Sequence, residues 1–370
     1  MEKIKLAEYI WLDGTKPTSQ IRSKSRVVSL LDSPNLNSPD LDSPDLDSPD
    51  SDSLNLDDFP EWSFDGSSTN QAVGEDSDCI LKPVNFVKDP LSETDGYLVL
   101  CEVFNPDGSV HSSNSRAILR KALENGGADE DVWLGFEQEY TMFKKNIPLG
   151  WPEHGFPGIQ GPYYCGVGSE QIFGRDLARR HQTACIEAGI MYYGSNAEVM
   201  PGQWEYQIGY RGIDSEDAGA LNISDHTWIA RWLMHRLSEE YNIHISHENK
   251  PIKGDWNGAG MHANFSTKNM RDPQKGRATI KNALIQLEST HQEHIKHYGE
   301  RLEERLTGKH ETSSISTFSA GNANRGSSIR IPRPVADKGY GYIEDRRPGA
   351  NADPYMVAAL LISTICSVSK

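Results

Sequence analysis

The sequence predicts an α+β protein: a small β-rich N-terminal unit, then a larger unit in which a curved antiparallel sheet is flanked by helices. Three observations point there. Strand-like runs dominate the first third of the chain, and helical periodicity begins only afterwards. Beyond that point, short strand candidates fall between helices without alternating one for one, which disfavours a doubly wound parallel sheet.

In chain order, the candidate strands of the first unit include residues 26–30 and 97–104, the latter with turn residues on both sides. A helix is predicted over 115–124, with Ser115 as N-cap and Gly126-Gly127 as the stop. The domain boundary is placed there, giving residues 1–112 and 113–370. Further helical patterns cover 171–188, 225–241 and 279–297, and a last helix opens at Asp353-Pro354, a cap followed by proline in the first turn.

Between the strands lies SPNLNSPDLDSPDLDSPDSDSLNLDD, an imperfect repeat of Leu-Asp-Ser-Pro-Asp. Its prolines and like charges cannot propagate a helix or bury a core, so residues 32–58 read as a disordered, solvated insert. Ser33, Ser38, Ser43 and Ser48 each precede proline and are candidate phosphorylation sites. The insert holds nine aspartates and no lysine or arginine, so it carries much of the formal charge of −16. The remainder is mildly acidic, which argues against nucleic-acid binding. No apolar run is long enough to span a bilayer. Five scattered cysteines without a CxxC spacing argue against a disulfide framework or a thiolate zinc site. The mixed-charge opening MEKIKLAEYIWLDG resembles neither a signal nor a transit peptide, so the cytoplasm is the expected address.

Two local patterns gather carboxylates. In FEQEY, strand alternation puts Glu137 and Glu139 on one face, roughly 6–7 Å apart. In NAEVMPGQWE, a two-residue Pro-Gly turn predicts Glu198 directly across from Glu205. Like charges at such spacing call for a cation, and clustered oxygens suit Mg²⁺ or Mn²⁺. NGAGMHANFS adds His262 after a glycine-rich turn. His291, His294 and His297 drift round a helix and are expected to be solvated. RLTGKHET, NRGSSIRIPR and YIEDRRP bring arginines beside acids, a pattern for phosphate or carboxylate recognition. No GxxxxGK[ST] string is present, so any ATP site is not a P-loop.

WSFDGSST, FEQEY, NAEVMPGQWE, NGAGMH, RLTGKHET, IRIPR and EDRRP, in this order, resemble the glutamine synthetase family, in wording close to its eukaryotic type (class II). The resemblance covers nearly the whole chain outside the insert. It implies a β-grasp-like N-terminal domain and a catalytic domain binding ATP and glutamate. It further implies two or three Mg²⁺ or Mn²⁺ ions, one held by Glu139, Glu198 and Glu205 and another by Glu137, His262 and Glu344. Glutamate would be gripped by Trp256, Asn257, Gly258, Arg305, Arg325 and Arg346. ATP would sit among Glu137, Glu205, Asn264, Ser266 and Tyr342, with Arg325 and Arg330 over the transferred phosphoryl group.

The implied reaction makes γ-glutamyl phosphate from glutamate and ATP, then admits ammonia. Asp65 would take a proton from ammonium, and Glu311 would close the site against water. In the family, the residue matching Asp65 comes from a neighbouring subunit, which implies ring-shaped homo-oligomers, typically two stacked pentamers. One departure stands out: Tyr210 replaces a usual proline and opens an extended loop through Ala218. The rivals are a γ-glutamyl ligase for another amine, and an inactive structural relative. Asp65 with Glu311 disfavours the first, and six intact metal positions disfavour the second.

Overall fold

The computed structural model describes residues 3–30 and 54–366. The four Ser-Pro pairs, and all of the expected insert before residue 54, lie outside the described residues. The chain forms two compact units, Met1–Gly14 with Ile21–Ser113, and Thr15–Gln20 with Asn114–Lys370.

In the first unit, β1 (Lys3–Leu12), β2 (Ile21–Leu30), β3 (Trp62–Asp65), β4 (Asp78–Asp89) and β5 (Gly96–Phe104) make one sheet in the order β2-β1-β5-β4-β3. Its central pair, β1 and β5, runs parallel, and the other neighbours are antiparallel. Alternation along β1 sends Ala7, Tyr9 and Trp11 into a core shared with Phe59, Phe64 and Leu81. Pro83 has no N–H to give the ladder, and β4 shifts register between Pro83 and Asn85. The expectation of disorder extends to residue 58, but residues 54–58 are ordered. Asn55 and Asp58 cap a single turn reciprocally, and Leu54 packs on the core.

The second unit carries a nine-stranded sheet. Its strands are β6 (Trp133–Lys144), β7 (Ile147–Pro148), β8 (Tyr192–Ala197), β9 (Gln203–Ile208), β10 (His244–Ser246), β11 (Met261–Ser266), β12 (Ala320–Asn322), β13 (Ile329–Ile331) and β14 (Ile343–Asp345). The main path runs β12-β13-β14-β11-β6-β9-β8, antiparallel except for the β12–β13 edge. Around it stand α1 (Ser115–Ala122), α2 (Arg175–Glu187), α3 (Ala220–Tyr241), α4 (Lys268–Arg271), α5 (Gly276–Ser289), α6 (His291–Ile295), α7 (Arg333–Lys338) and α8 (Pro354–Ile365).

Several expectations shift. The N-cap of α1 is Asn114, whose side chain accepts from the Ala117 amide, rather than Ser115. The helix predicted over 279–297 breaks at Thr290 into α5 and α6. That break turns His291 and His294 inward, so they are buried, not solvated, and both meet Arg347 at 3.2 Å; His297 is exposed.

One contact fixes the strand that matters most. Arg231 of α3, fully buried, donates to Gln138 Oε1 at 2.8 and 2.6 Å and to the Ala350 and Ala352 carbonyls. Gln138 therefore locks β6 from behind, while Glu137 and Glu139 project from the opposite face.

A candidate active site on one face of the sheet

The ladders bring distant residues into one stripe. Glu137 stands opposite His262 on β11 and Gln207 on β9, and Glu139 stands opposite Glu205. On β14, Glu344 stands opposite Asn264 of β11 and Arg330 of β13.

The hairpin differs from its expected register. Glu205 lies across from Asn196, and the Glu198 amide bonds the Gln203 carbonyl at 2.9 Å. The turn is Met200–Gln203, closed at 3.1 Å, with Gly202 third at φ +80°. That type II arrangement twists against the flanking strands, and two extra residues, Glu198 and Val199, loop out to absorb the mismatch. Glu198 reaches the site from this bulge, held by Asn196 Nδ2 at 2.8 Å.

Two groups of donors result, Glu139, Glu198 and Glu205, and Glu137, Glu205 and His262, each with ligand atoms within 4.8 Å of one another. Glu205 belongs to both. Glu344 lies close, 3.6 Å from His262 Nδ1, but is gripped by Arg330 at 2.5 Å and Arg346 at 2.6 Å.

Burial, with the Glu139 charge second, raises the Glu198 pKa to about 8. Burial raises Glu139, partly opposed by Arg305, and pushes Glu205 well above the usual carboxylate range, with Glu137 adding to the effect. Among the described residues, the positive charge near these three carboxylates does not offset their burial and mutual repulsion. Hard oxygens with one imidazole fit a divalent cation of the Mg²⁺ or Mn²⁺ kind. Burial, then Arg346, holds His262 well below its usual pKa, in the neutral form that ligates metals. Its Nε2 meets Arg305 at 3.0 Å, leaving Nδ1 facing Glu137 at 3.3 Å.

The donors line a cavity of about 410 Å³ shared with Glu311, Arg325, Arg330 and Arg346. Glu311 sits in a loop where His310 and Glu311 both adopt left-handed backbone, φ +54° and +60°. Non-glycine residues there are strained, and the Thr312 hydroxyl fastens the loop by donating to the Lys309 carbonyl at 2.8 Å, with the Arg305 carbonyl also near at 3.1 Å. Buried Arg305 donates to the Arg346 carbonyl at 3.1 Å. Gly258 packs beside it: a Cβ would fall 2.4 Å from the Asn249 carbonyl oxygen, so only glycine fits.

Of the residues expected around the nucleotide, Asn264 donates to Glu137 Oε1 at 2.9 Å, Ser266 is buried against Arg271, and Tyr342 stays partly exposed. In the loop after Tyr210, the Arg211 amide bonds Glu216 at 2.8 Å, and Tyr210 packs on Trp133. Trp256 packs on Trp151, ring centroids 4.7 Å apart. Asp65 belongs to the first unit, at the end of β3, where it accepts from the Ser67 and Ser68 hydroxyls at 2.6 and 2.7 Å. Sequence reasoning missed Asn196 and Gln207, which donate to Glu198 and Glu205. Their signal was available, since each sits two residues from the acid it holds.

A grasp-like unit followed by a carboxylate- and arginine-lined cavity on a mixed sheet defines an enzyme built to gather cations and anions together. Comparison with known families agrees: "Glutamine synthetase, beta-Grasp domain" matches residues 3–106, and "Glutamine synthetase, catalytic domain" matches residues 112–284. The chain is 51% identical to the chloroplastic glutamine synthetase of Chlamydomonas reinhardtii, covering 97% of this chain and 90% of that one. It is 47% identical to the glutamine synthetase of Streptomyces viridochromogenes, over 98% and 96% of the two chains. Identity to the Saccharomyces cerevisiae glutamine synthetase is 47%, over 98% and 89%. The chain belongs to the glutamine synthetase family.

Proposed function

We propose that this enzyme joins ammonia to the γ-carboxylate of glutamate, driven by ATP, and that it is of the family's eukaryotic type. The observation that carries the site assignment is the pair of carboxylate-bearing triads sharing Glu205 in one cavity with three arginines.

Glu139, Glu198 and Glu205 would hold one divalent ion, and Glu137 and His262, with Glu205 or Glu344, another. When bound, such an ion supplies positive charge against carboxylate and phosphate oxygens. Asn257, Gly258, Arg305 and Arg346, beside Trp256, orient glutamate so that a γ-oxygen attacks the terminal phosphorus of ATP and ADP departs. Arg325 and Arg330 face the charge spread over the moving phosphoryl group, while Asn264, Ser266 and Tyr342 flank the nucleotide. The Ser67 and Ser68 hydroxyls hold Asp65 below its ordinary pKa, so it remains a carboxylate able to take the proton that ammonium must lose. Nitrogen then attacks the acyl phosphate and inorganic phosphate leaves. Glu311, on its strained loop, keeps water from that intermediate.

We place the enzyme in the cytoplasm as a homo-oligomer of two pentameric rings. Free cysteines favour a reducing compartment, and no described helix is long and apolar enough to cross a membrane. Exposed Phe156, Ile159 and Val167 offer apolar surface for self-association. The deciding assay is glutamine formation from glutamate, ammonium and ATP, with and without Mg²⁺ or Mn²⁺, with other amines as competitors. Metal-independent turnover, or a preference for another amine, overturns the reading.

A further inference from the structure

Gln160 and Asn257 are joined head to tail. The Asn257 backbone amide donates to Gln160 Oε1 at 2.8 Å, and Gln160 Nε2 donates to Asn257 Oδ1 at 2.9 Å. We propose that Gln160 is a positioning residue that sets the polarity of Asn257, turning its amide nitrogen out as a donor toward an anionic substrate. The inference rests on the reading of Asn257 as a glutamate contact.

The argument starts from a group that cannot be inverted. A side-chain amide can exchange its oxygen and nitrogen by a half-turn at almost no steric cost, so its orientation follows its partners. The backbone N–H of Asn257 can only donate. Gln160 must therefore answer it with Oε1, which leaves Nε2 facing the Asn257 side chain. Nε2 in turn can only donate, so Asn257 must answer with Oδ1. The Asn257 Nδ2 group, with two hydrogens, remains without a protein partner among the described residues. It suits a carboxylate oxygen and repels a cation. An asparagine turned the other way would present Oδ1, which suits neither carboxylate of glutamate.

The setting makes this relay rigid. Gln160 is half-buried in an otherwise mostly exposed, irregular stretch. The next residue anchors it: the Gly161 amide donates to the Val199 carbonyl at 3.0 Å, beside Glu198. One short strap thus ties the bulge that carries Glu198 to the loop that carries Asn257.

The test compares Gln160→Met, which removes both bonds at similar volume, with Gln160→Glu, which is isosteric but can only accept. Glutamate at 160 would bond the backbone amide and the Asn257 Nδ2, inverting Asn257. KM for L-glutamate is expected to rise about tenfold in Gln160→Met and further in Gln160→Glu, with KM for ATP and the melting temperature unchanged. In an Asn257→Ala background, Gln160→Glu is expected to add nothing, which separates relay through Asn257 from a direct charge effect. If Gln160→Glu falls between wild type and Gln160→Met, the residue is only a structural stitch and the proposal fails. If Asn257→Ala raises KM for glutamate while the Gln160 variants do not, the inference falls and the reading of Asn257 stands. If Asn257→Ala itself leaves that KM unchanged, both fall.

Discussion

Asp345 and Glu205 are both buried carboxylates on the same sheet, and the chain treats them in opposite ways. Asp345 is met by Arg347 through two hydrogen bonds, at 2.8 and 2.7 Å, and by the Tyr298 hydroxyl at 3.0 Å. Burial alone would raise its pKa, but Arg347 overturns that and holds it below the ordinary value. Glu205 has a glutamine amide and three further carboxylates around it, and its proton affinity climbs. The end of β14 sharpens the contrast, since Asp345 and Arg347 pair in the core while Glu344 is gripped by Arg346, which lines the cavity. On the proposed reading, a carboxylate kept for structure brings its own cation, and one kept for chemistry leaves that place to a metal ion.

The largest test of this contrast removes the resident cation. Arg347→Met strands Asp345 and is expected to cost about 3–5 kcal/mol in chemical denaturation, much of it recovered when Asp345→Leu is added. A loss below about 1 kcal/mol, or no recovery, would mean that Asp345 is not held as described. The opposite outcome is expected on the other side. Glu205→Gln should lower metal-dependent glutamine synthesis by roughly a hundredfold or more, yet leave the metal-stripped protein as stable or more so. Equal destabilisation of the two regions would erase the distinction.

The pH dependence gives an intermediate effect, and its sign follows from Glu198. A carboxyl whose pKa is raised from 4.5 to about 8 on folding contributes stability fully at low pH and loses it as pH rises through about 8. Chelator-treated protein should therefore melt progressively lower between about pH 6.5 and about pH 8, and saturating Mg²⁺ should flatten the slope. On the acid side, His181 and His235, both lowered by burial from 6.5 to about 4, lose their contribution as pH falls through that window. A melting temperature indifferent to metal at high pH would break the assignment. The smallest effect is a ratio rather than a rate. Glu311→Ala should raise phosphate released per glutamine formed by a few-fold, and an unchanged ratio removes Glu311 from the gate.

What the sequence disclosed followed strand periodicity. Glu137 and Glu139 share a face because side chains alternate, and Glu344 and Arg346 separate from Asp345 and Arg347 for the same reason. What it withheld depended on features that periodicity does not encode. The Glu198 bulge comes from the mismatch between a type II turn and strand twist, so Glu205 faces Asn196 instead of Glu198. His291 and His294 turned inward because a helix read as continuous breaks at Thr290. The grip of Arg330 on Glu344, and the bond between Gln160 and Asn257, join residues of different strands or different loops. No local pattern announces such partners.

Glu205, as a member of both triads, has a consequence for how the site tolerates change. A substitution at Glu139 or Glu198 touches one triad, and one at Glu137 or His262 touches the other. A change at Glu205 reaches both at once, so double substitutions that include it should fall well short of the product of the single losses, whichever triad supplies the second residue. Pairs drawn one from each triad without Glu205 should come nearer to multiplying. A map of pairwise epistasis across these five positions would then show Glu205 as its hub, and would reveal the shared ligand from genetics alone.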